Sequence, residues 1–342
     1  MTETTYASSE RMTRSRLRFL NERDAMRILV TGGAGFLGSS LVEFLVEHGH
    51  DVIVLDNLWR GQKDNLEAVS GDITFIEADA CSPTSYQHIV EPSTIDLVYH
   101  FAAVNGTKWF HEEPRLVMDV NLNSTLQSLE FAEKNNCRYV FASSPEAFGE
   151  SEIMPLGADE SAVFTAAHHH QRHAYGASKY LGELAVHHAA RKGLDVRIVR
   201  PFNGYGPRLL GDAYGQVVSM MIQSALKKGV IRVHGDGSQT RSLTYIDDLV
   251  RGIVFAGTFD DLSGMSFNLG SDEEISMLNL AERIGQLVEE QTGQSINIQF
   301  ESGHPGDSKR RLPHLMEAET HLQWKAQISL DEGLLQTLRA MV

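Results

Sequence analysis

Short apolar runs alternate with segments of helical periodicity over the first 200 residues of this 342-residue chain. The apolar runs predict β-strands at 27–31, 51–56, 73–77, 97–101, 138–143 and 195–200. The segments between them predict helices near 36–48, 114–135 and 174–192. This alternation is typical of an α/β protein with a doubly wound parallel sheet, the Rossmann arrangement, in which loops after the strand ends carry function.

Glycines follow the first predicted strand at the spacing that seats a dinucleotide pyrophosphate. Gly32 and Gly33 permit a tight turn, and Gly35 lets the backbone approach the phosphates. Gly38 lets the next helix pack closely on the strand. That helix is predicted to begin at Phe36, so its free amide groups point at the anion. The pattern predicts a dinucleotide cofactor.

A carboxylate at the end of the second predicted strand favours NAD over NADP. Asp56 lies about twenty residues after the glycines, where a carboxylate accepts hydrogen bonds from the adenosine ribose hydroxyls. The same carboxylate would repel a 2′-phosphate. Arg60 and Lys63 follow closely and keep NADP as the alternative.

The pattern loosens beyond Pro201 into glycine-rich loops, with helices predicted near 216–228, 277–291 and 330–341. We interpret residues 26–200 as an NAD-binding Rossmann domain and residues 201–342 as a smaller α/β C-terminal lobe that binds the substrate. The segment 239–257 is expected to return to the larger domain. Residues 1–25 are polar and charged, and we interpret them as an N-terminal extension.

Composition and charge narrow the class of protein. The formal net charge of −15 argues against nucleic acid or an anionic membrane surface as a partner. No apolar run approaches the roughly 18 to 20 residues of a membrane span, and the first residues lack the apolar core of a signal peptide. We therefore expect a cytoplasmic protein. Cys81 and Cys137 are too few for a disulfide framework and are expected to be buried thiols.

Tyr175 and Lys179 carry the clearest chemical signal. Residues four apart on a helix lie on the same face, one turn above the other. The lysine ammonium can then lower the pKa of the phenol and hold the nicotinamide ribose. A phenolate formed in this way is a base for a hydroxyl proton.

Motifs in a fixed order along residues 26–340 resemble the extended short-chain dehydrogenase/reductase family, the NAD-dependent epimerases and dehydratases of nucleotide sugars. The motifs are TGGAGFLG, Asp56 with Asn57, Asp79, HFAA at 100–103, Asn121, ASSPEAFG at 142–149, YGASK, RPFNGYGPR at 200–208 and GDGSQTRSLTYIDD at 235–248. The resemblance implies an NAD site made of Gly32, Gly35, Phe36, Leu37, Gly38, Asp56, Asn57, Asp79, Ala80, Phe101, Ala102, Ala103, Asn121, Tyr175 and Lys179.

The resemblance also implies the first chemical step. Tyr175 takes the proton of the sugar 4-hydroxyl while a hydride passes from carbon 4 to NAD, and Ser144 bonds the hydroxyl being oxidised. The step that follows depends on the residues at positions 145 and 146, which are Pro145 and Glu146 in this chain. Plain 4-epimerases usually carry a small residue there, and 4,6-dehydratases often carry an Asp where this chain has Pro145. The triplet Ser, Pro, Glu is most similar to that of the UDP-glucuronate decarboxylases, although GDP-mannose dehydratases carry a comparable one.

Candidate substrate ligands also favour a uronic acid. The resemblance places Asn203 and Arg241 on the nucleotide diphosphate. The four candidate arginines, at positions 172, 208, 241 and 311, suit bidentate recognition of anions. Oxidation of a uronate at carbon 4 gives a β-keto acid, and loss of carbon dioxide would yield UDP-xylose. A 4-epimerase, a 4,6-dehydratase, a decarboxylase of another uronic nucleotide sugar and a catalytically silent NAD-binding relative remain alternatives. The full candidate set is Arg172, Asn203, Arg208, Arg241 and Arg311.

Family members pair through two helices that correspond to 114–135 and 174–192, so a homodimer is expected. The apolar side chains predicted to be shared between core and partner are Leu122, Leu126, Leu129, Tyr180, Leu184 and Val186. The histidines at 168, 169, 170 and 173 are interpreted as a polar loop, and no functional metal is expected. Trp109 and Phe110 are predicted either to stack on the sugar or to pack under a loop.

Overall fold

A seven-stranded, fully parallel sheet forms the centre of the protein. The computed structural model describes residues 25–169, 173–209, 216–302 and 310–342. The predicted N-terminal extension lies almost wholly outside these ranges. The strands are β1 (Arg27–Thr31), β2 (Asp51–Asp56), β3 (Ile73–Glu77), β4 (Leu97–His100), β5 (Arg138–Ala142), β6 (Val196–Pro201) and β7 (Met265–Leu269).

The strand order is β7-β6-β5-β4-β1-β2-β3. The chain runs outward from β1 through β2 to β3 and then crosses back to β4 on the other side of β1. In the resulting register Thr31 lies between Leu55 and His100. The direction in which successive strands are added to the sheet therefore changes at β1. Ligands of such sheets bind at the carboxyl ends of the strands at this point. The predicted α/β fold is confirmed, and β7 is an additional strand that was not predicted.

Three helices place the residues of the candidate site. The glycine-loop helix (Phe36–Glu47) follows β1, the central helix (Pro114–Asn135) follows β4, and the tyrosine helix (His173–Arg191) follows β5. Shorter helical turns occur at Thr107–Glu112 and, with 3₁₀ geometry, at Lys63–Val69, Ser85–His88, Pro92–Thr94 and Pro145–Phe148. The remaining helical segments are Val217–Lys228, Ile246–Thr258, Met277–Thr292, Ala318–Leu322 and Leu330–Arg339.

The core lies on both faces of the sheet, because side chains alternate along each strand. Ile28 and Val30 of β1 pack on one face together with the helix Ile246–Thr258, and Leu29 packs on the other. That helix was not predicted, although its segment was expected to return to the large domain. The division of the chain at residue 200 stays a prediction.

Two predicted interface residues belong to the core. Leu129 of the central helix and Val186 of the tyrosine helix are buried in the core, and a contact of either with a partner stays a prediction. Their positions on the helices face the sheet, where strand side chains cover them. In the described ranges, no helix combines the length and apolar character required to cross a membrane.

Short strands beyond β6 bring distant segments together. Gly204–Tyr205 pairs with Thr244–Tyr245, and Val230–His234 pairs with Asn297–Glu301. Thr240–Ser242 forms the middle strand of a further sheet between Glu274–Ser276 and Arg310–Arg311. In this register Arg241 lies directly opposite Arg311. Two candidate arginines that are far apart in sequence are therefore neighbours.

Candidate active site

The turn after β1 accepts only glycine at two of its positions. Gly32 has a φ of +71°, and a Cβ there would lie 2.6 Å from the backbone nitrogen of Ala102. A Cβ on Gly38 would lie 2.1 Å from the carbonyl oxygen of Gly32. The glycine-loop helix begins after Gly35 without a side-chain cap, so its first amides face the turn. This cradle of close backbone and open amides fits a pyrophosphate.

Asp56 lies beside the glycine turn. Its Oδ2 accepts a hydrogen bond from the backbone nitrogen of Ala34 at 2.9 Å, and its Oδ1 accepts one from that of Leu58 at 2.8 Å. Burial raises the pKa of Asp56, whereas these two amides act in the opposite direction. The amides orient the carboxylate beside the turn, and its role at the adenosine ribose stays a prediction.

The two cations that kept NADP as an alternative are engaged elsewhere. Arg60 donates to the carbonyl oxygen of Asn105. Lys63 pairs with Glu77, with 3.5 Å between Nζ and Oε2, and lies over the ring of Phe75. These contacts favour NAD over NADP.

Polar residues on the adenine side shape their own loops. Asn57 Oδ1 accepts from the backbone nitrogen of Trp59 at 3.0 Å, and Asp79 Oδ1 accepts from that of Cys81 at 2.9 Å. Ala80, which follows Asp79 in the chain, is buried.

Cys81 is half-buried, and burial is the main cause that raises the pKa of its thiol to about 12. A thiol of such pKa is not a nucleophile near neutral pH.

Cys137 is the second thiol of the chain. It is buried, and burial raises its pKa to about 12. Its Sγ lies 3.8 Å from the carbonyl oxygen of Ala132. Neither cysteine is therefore a candidate for catalysis.

The loop Phe101–Ala103 continues β4 along the cofactor cleft. Phe101 donates from its backbone nitrogen to Thr31 at 2.9 Å. Asn121 accepts from the backbone nitrogen of Val104 at 2.7 Å and donates from Nδ2 to the Val104 carbonyl and to Ser178 Oγ. Because both amide hydrogens of Asn121 are used, this residue braces the loop against the tyrosine helix. A direct cofactor contact of Asn121 stays a prediction.

Tyr175 and Lys179 lie one turn apart on the tyrosine helix, as predicted, and both are buried. The Nζ of Lys179 donates to the carbonyl oxygen of Ala142 at 2.8 Å and lies 5.8 Å from the centroid of the Tyr175 ring. Burial lowers the pKa of Lys179 to about 7, and the Glu183 carboxylate opposes that change.

The phenol itself differs from the expectation. Burial raises the pKa of Tyr175, and the charge of Glu146 acts in the same direction. A hydrogen bond with Ser144 is what lowers it, in place of the predicted effect of the ammonium. The physical reason is that burial disfavours the charged phenolate more than the hydrogen bond with Ser144 favours it.

Ser144 and Glu146 stand at the end of β5. Ser144 caps the short helix Pro145–Phe148, where its Oγ accepts from the backbone nitrogen of Glu146 at 3.2 Å. A Cβ on Gly176 would lie 2.2 Å from the carbonyl oxygen of Glu146. The glycine beside the tyrosine therefore lets the tyrosine helix contact this turn, which brings the predicted catalytic residues together.

Arg311 is the most unusual polar group of the site. Its side chain is 5% exposed, and its Nη2 lies 3.7 Å from Glu146 Oε2 and donates to the carbonyl oxygen of Gly149. Its Nε and Nη1 are buried and have no hydrogen-bond partner within the part of the chain that the structure describes. Buried donors without partners carry a desolvation cost. This guanidinium therefore presents two desolvated donors that suit an anion.

The other candidate substrate residues lie around Arg311. Arg241 is its neighbour in the three-stranded sheet, and its Nη1 donates to the carbonyl oxygen of Thr240 at 2.8 Å. Asn203 has a φ of +40°, and its Nδ2 donates to the carbonyl oxygen of Ser242 at 2.8 Å. Asn203 and Arg241 are thus held on adjoining segments.

Arg208 points away from this group. Its Nη2 donates to Glu43 Oε1 at 2.6 Å, and its Nη1 lies 3.4 Å from Ser39 Oγ. Glu43 and Ser39 belong to the glycine-loop helix, so Arg208 ties the chain after β6 to that helix. Its substrate role stays a prediction without support from these contacts. Arg172 lies outside the described residues.

Several buried polar residues of the site were not predicted. Glu183 forms an ion pair with Arg200 and accepts a hydrogen bond from Ser143. The available signal was a charged residue one turn beyond Lys179 on an otherwise apolar helix face. His100 is held between Thr31 and Thr125, as the start of the HFAA motif.

His173, Phe110 and Trp109 contact other side chains of the protein, whereas His168 and His169 are exposed. His173 Nε2 lies 3.0 Å from Glu150 Oε1, and the described residues contain no group of three or more possible metal ligands. Phe110 stacks on Tyr175 with 4.9 Å between ring centroids. The ring centroids of Trp109 and Trp59 lie 5.0 Å apart. His170 lies outside the described residues.

The fold and the site define an enzyme with a Rossmann sheet, an NAD cradle and a buried tyrosine–lysine pair beside a serine. The model of the NAD dependent epimerase/dehydratase family matches residues 28–270, and the chain belongs to this family. The protein is therefore an NAD-dependent enzyme of nucleotide-sugar modification.

Named relatives are decarboxylases and an epimerase. UDP-glucuronic acid decarboxylase 1 of Arabidopsis thaliana is 35% identical over 91% of this chain and 69% of its own length. UDP-N-acetyl-alpha-D-glucosaminuronate decarboxylase of Bacillus cytotoxicus is 32% identical over 92% of this chain and 97% of its own length. The crystal structure of UDP-glucose 4-epimerase from Thermotoga maritima, solved with UDP-glucose, has a TM-score of 0.83 and 29% identity over 92% of this chain and 98% of its own.

Proposed function

We propose that the protein decarboxylates a UDP-linked uronic acid, with UDP-glucuronate as substrate and UDP-xylose as product. The observation that carries the proposal is the buried guanidinium of Arg311 beside Glu146, two of whose nitrogens have no hydrogen-bond partner among the described residues. A buried guanidinium with donors to spare suits an anion, and the carboxylate of a uronate is such a group. The two named decarboxylase relatives act on uronic nucleotide sugars and support the same assignment.

The cofactor cradle fits NAD, because Cβ atoms at Gly32 and Gly38 would collide with backbone atoms there. NAD, when bound, would accept the hydrogen of carbon 4 with its electron pair and later return it. The other proposed ligands are the remaining residues of the NAD site given in the sequence analysis. Among them, Asp56 binds the adenosine ribose and Lys179 binds the nicotinamide end. They hold the cofactor between the glycine turn and the tyrosine helix.

Proton movements at carbon 4 are assigned to two side chains. Tyr175 takes the proton of the 4-hydroxyl, and Ser144 donates a hydrogen bond to the same oxygen. The Lys179 ammonium stabilises the phenolate while it exists. When carbon dioxide leaves, negative charge develops on the oxygen of carbon 4, and the Tyr175 and Ser144 hydroxyls stabilise it by hydrogen bonds.

The groups at carbon 5 distinguish decarboxylation from epimerisation. Arg311 binds the carboxylate of the uronate, and Arg241 binds the diphosphate. Glu146 relays a proton from water to carbon 5 after the carbon–carbon bond has broken and carbon dioxide has left. A plain 4-epimerase also binds a diphosphate, but it needs neither the carboxylate ligand nor the proton donor, because no bond at carbon 5 changes.

Carbon dioxide release from UDP-glucuronate tests the proposal. The unmodified enzyme should release carbon dioxide and form UDP-xylose, identified by mass and NMR. Glu146→Gln should accumulate reduced nicotinamide on the enzyme, because the proton for carbon 5 is missing. Interconversion of the glucuronate and galacturonate forms without carbon dioxide would overturn the decarboxylase and establish the epimerase. UDP-N-acetylglucosaminuronate and the GDP and dTDP sugars complete the substrate panel.

We also propose a homodimer formed through the central and tyrosine helices. Their outer faces expose large apolar side chains, and exposed apolar surface favours association. A second copy that presents the same face buries this set symmetrically. The exposed members are Met118, Leu126, Tyr180, Leu181 and Leu184.

A further inference from the structure

A buried ion pair lies directly behind the candidate site. Arg200, in β6, donates from Nε and Nη2 to the two carboxylate oxygens of Glu183, each at 2.7 Å. Ser143 Oγ donates to the same carboxylate. All three side chains are almost completely buried. Because removing charges from water costs free energy, such a pair is weak evidence for stability. Its location indicates another role.

Arg200 also contacts the turn that carries Glu146. Its Nη1 donates to the carbonyl oxygen of Ala158 at 2.8 Å, and its Cζ lies 4.6 Å from the centroid of the Phe148 ring. Phe148 ends the short helix Pro145–Phe148. The Arg200 guanidinium therefore packs against the last residue of this helix while it is hydrogen-bonded to Glu183.

Glu183, the carboxylate of the pair, is connected to two catalytic residues. Ser143 is bonded to Glu183 and immediately precedes Ser144. Glu183 lies one helical turn after Lys179, and its negative charge raises the pKa of Lys179 against the effect of burial. One carboxylate is thus connected to both the serine and the lysine of the site.

We propose that Glu183 and Arg200 are positioning residues for the reaction proposed above, which hold Ser144 and the short helix Pro145–Phe148 in place beside the tyrosine helix. Arg200 limits the effect of Glu183 on its surroundings, since its positive charge partly cancels the carboxylate. We therefore expect the two members of the pair to shift the titration of Lys179 in opposite directions. A purely structural pair would leave kcat unchanged when only the hydrogen bond from Ser143 is removed.

The charges around Lys179 make this separation measurable. Burial lowers the pKa of His100 far below its usual value, so that ring is neutral near pH 7. The phenol of Tyr175 is also neutral there. The titratable groups beside Lys179 are Tyr175 and Glu183 of its own helix and His100 of β4, and Arg200 of β6 is joined to Glu183.

An NMR titration of the holoenzyme labelled with ¹³C at lysine Cε tests the electrostatic part. The Lys179 signal is assigned by its loss in Lys179→Met. Glu183→Gln should lower the pKa of Lys179, because it removes the negative charge and leaves Arg200 uncompensated. Arg200→Gln should raise it, because Glu183 then acts alone. Unchanged titration in both variants, or shifts in the same direction, would overturn the proposal.

Turnover of UDP-glucuronate tests the positioning part. Ser143→Ala should lower kcat roughly tenfold with little change in KM and no change in the Lys179 titration, because it frees Ser144 without altering a charge. Glu183→Asp should restore the pH profile that Glu183→Gln displaces. A Ser143→Ala enzyme with normal kcat would overturn this part, and it gives the answer even where a charge variant does not fold.

A matched control lies at the other end of the same two strands. Asp195 pairs with Arg138 of β5 at 2.8 Å and with Arg197 of β6. Asp195→Asn should lower thermal stability and leave the Lys179 titration and the pH profile unchanged. Failure of the wild type to use UDP-glucuronate would refute the substrate assignment alone, because the NMR titration needs no substrate.

Discussion

At the scale of single residues, the site depends on charges that are nearly out of water. Arg311 is 4% exposed and Lys179 is 3% exposed. A guanidinium keeps its charge under such conditions, whereas an ammonium loses its proton readily. The first therefore suits the binding of an anion, and the second suits a pH-dependent role.

Replacement of Arg311 should weaken substrate binding. Arg311→Ala removes a charge-assisted contact worth about 1.5 to 3 kcal/mol, so the Kd for UDP-glucuronate should rise about ten- to hundredfold. Isothermal titration calorimetry measures it. Arg310→Ala is the control, because Arg310 is exposed and pairs with Glu274 at 2.7 Å. Equal affinity of Arg311→Ala and wild type would show that Arg311 does not contact the substrate.

Titration of Lys179 should contribute to stability with a defined sign. Its pKa is about 7 in the folded protein and about 10.4 when unfolded, so the unfolded state binds more protons between these values. The free energy of unfolding should therefore rise with pH in this window, by up to about 1.4 kcal/mol per pH unit, relative to Lys179→Met. Urea melts from pH 7.5 to 9 measure the slope. Parallel slopes for the two proteins would contradict the lowered pKa.

At the scale of elements, two loops meet across the edge of the sheet that holds the cofactor cradle. The loop after β2 carries Trp59 and Arg60, and the segment after β4 carries Asn105 and Trp109. The tryptophan rings are 5.0 Å apart, and Arg60 donates to the Asn105 carbonyl. Since both loops follow strand ends at the cleft, we expect their contact to restrict the exit of a bound dinucleotide.

Loss of the tryptophan contact should speed the release of NAD. An aromatic pair contributes about 0.5 to 1.5 kcal/mol beyond its buried area, so Trp109→Ala should raise the dissociation rate of NAD several-fold. Competition with excess labelled NAD measures that rate. Phe300→Ala removes an exposed aromatic side chain on the strand Asn297–Glu301 and serves as the control. Identical release from all three proteins would refute the role of the contact.

At the scale of the whole molecule, the exposed apolar face of the central and tyrosine helices should set the assembly. Leu184 is 51% exposed at this face. Leu184→Glu places like charges opposite each other in a symmetric dimer, so it should give a 38 kDa monomer in light scattering at micromolar concentration. Leu335→Glu, in the separate helix Leu330–Arg339, is the control and should leave the mass unchanged. A monomeric wild type would refute the dimer.

The sequence by itself determined what depends on neighbours along the chain. The spacing of Gly32, Gly35 and Gly38 predicts the cofactor turn, because the turn and the helix start are local geometry. Tyr175 and Lys179 share a helix face for the same reason. Six strands of the sheet were predicted from their apolar runs, since a strand buried on both faces must be apolar throughout. The cytoplasmic location and the domain boundary also come from the sequence, and they stay predictions.

Only the tertiary structure decided which charges meet. Arg311 lies beside Glu146, Glu183 pairs with Arg200, and Arg208 turns to Glu43, although the partners are far apart in the chain. The raised pKa of Tyr175 likewise follows from burial. A pairing or a desolvation depends on what packs against a side chain in three dimensions, and the periodicity of a single segment contains no information about that.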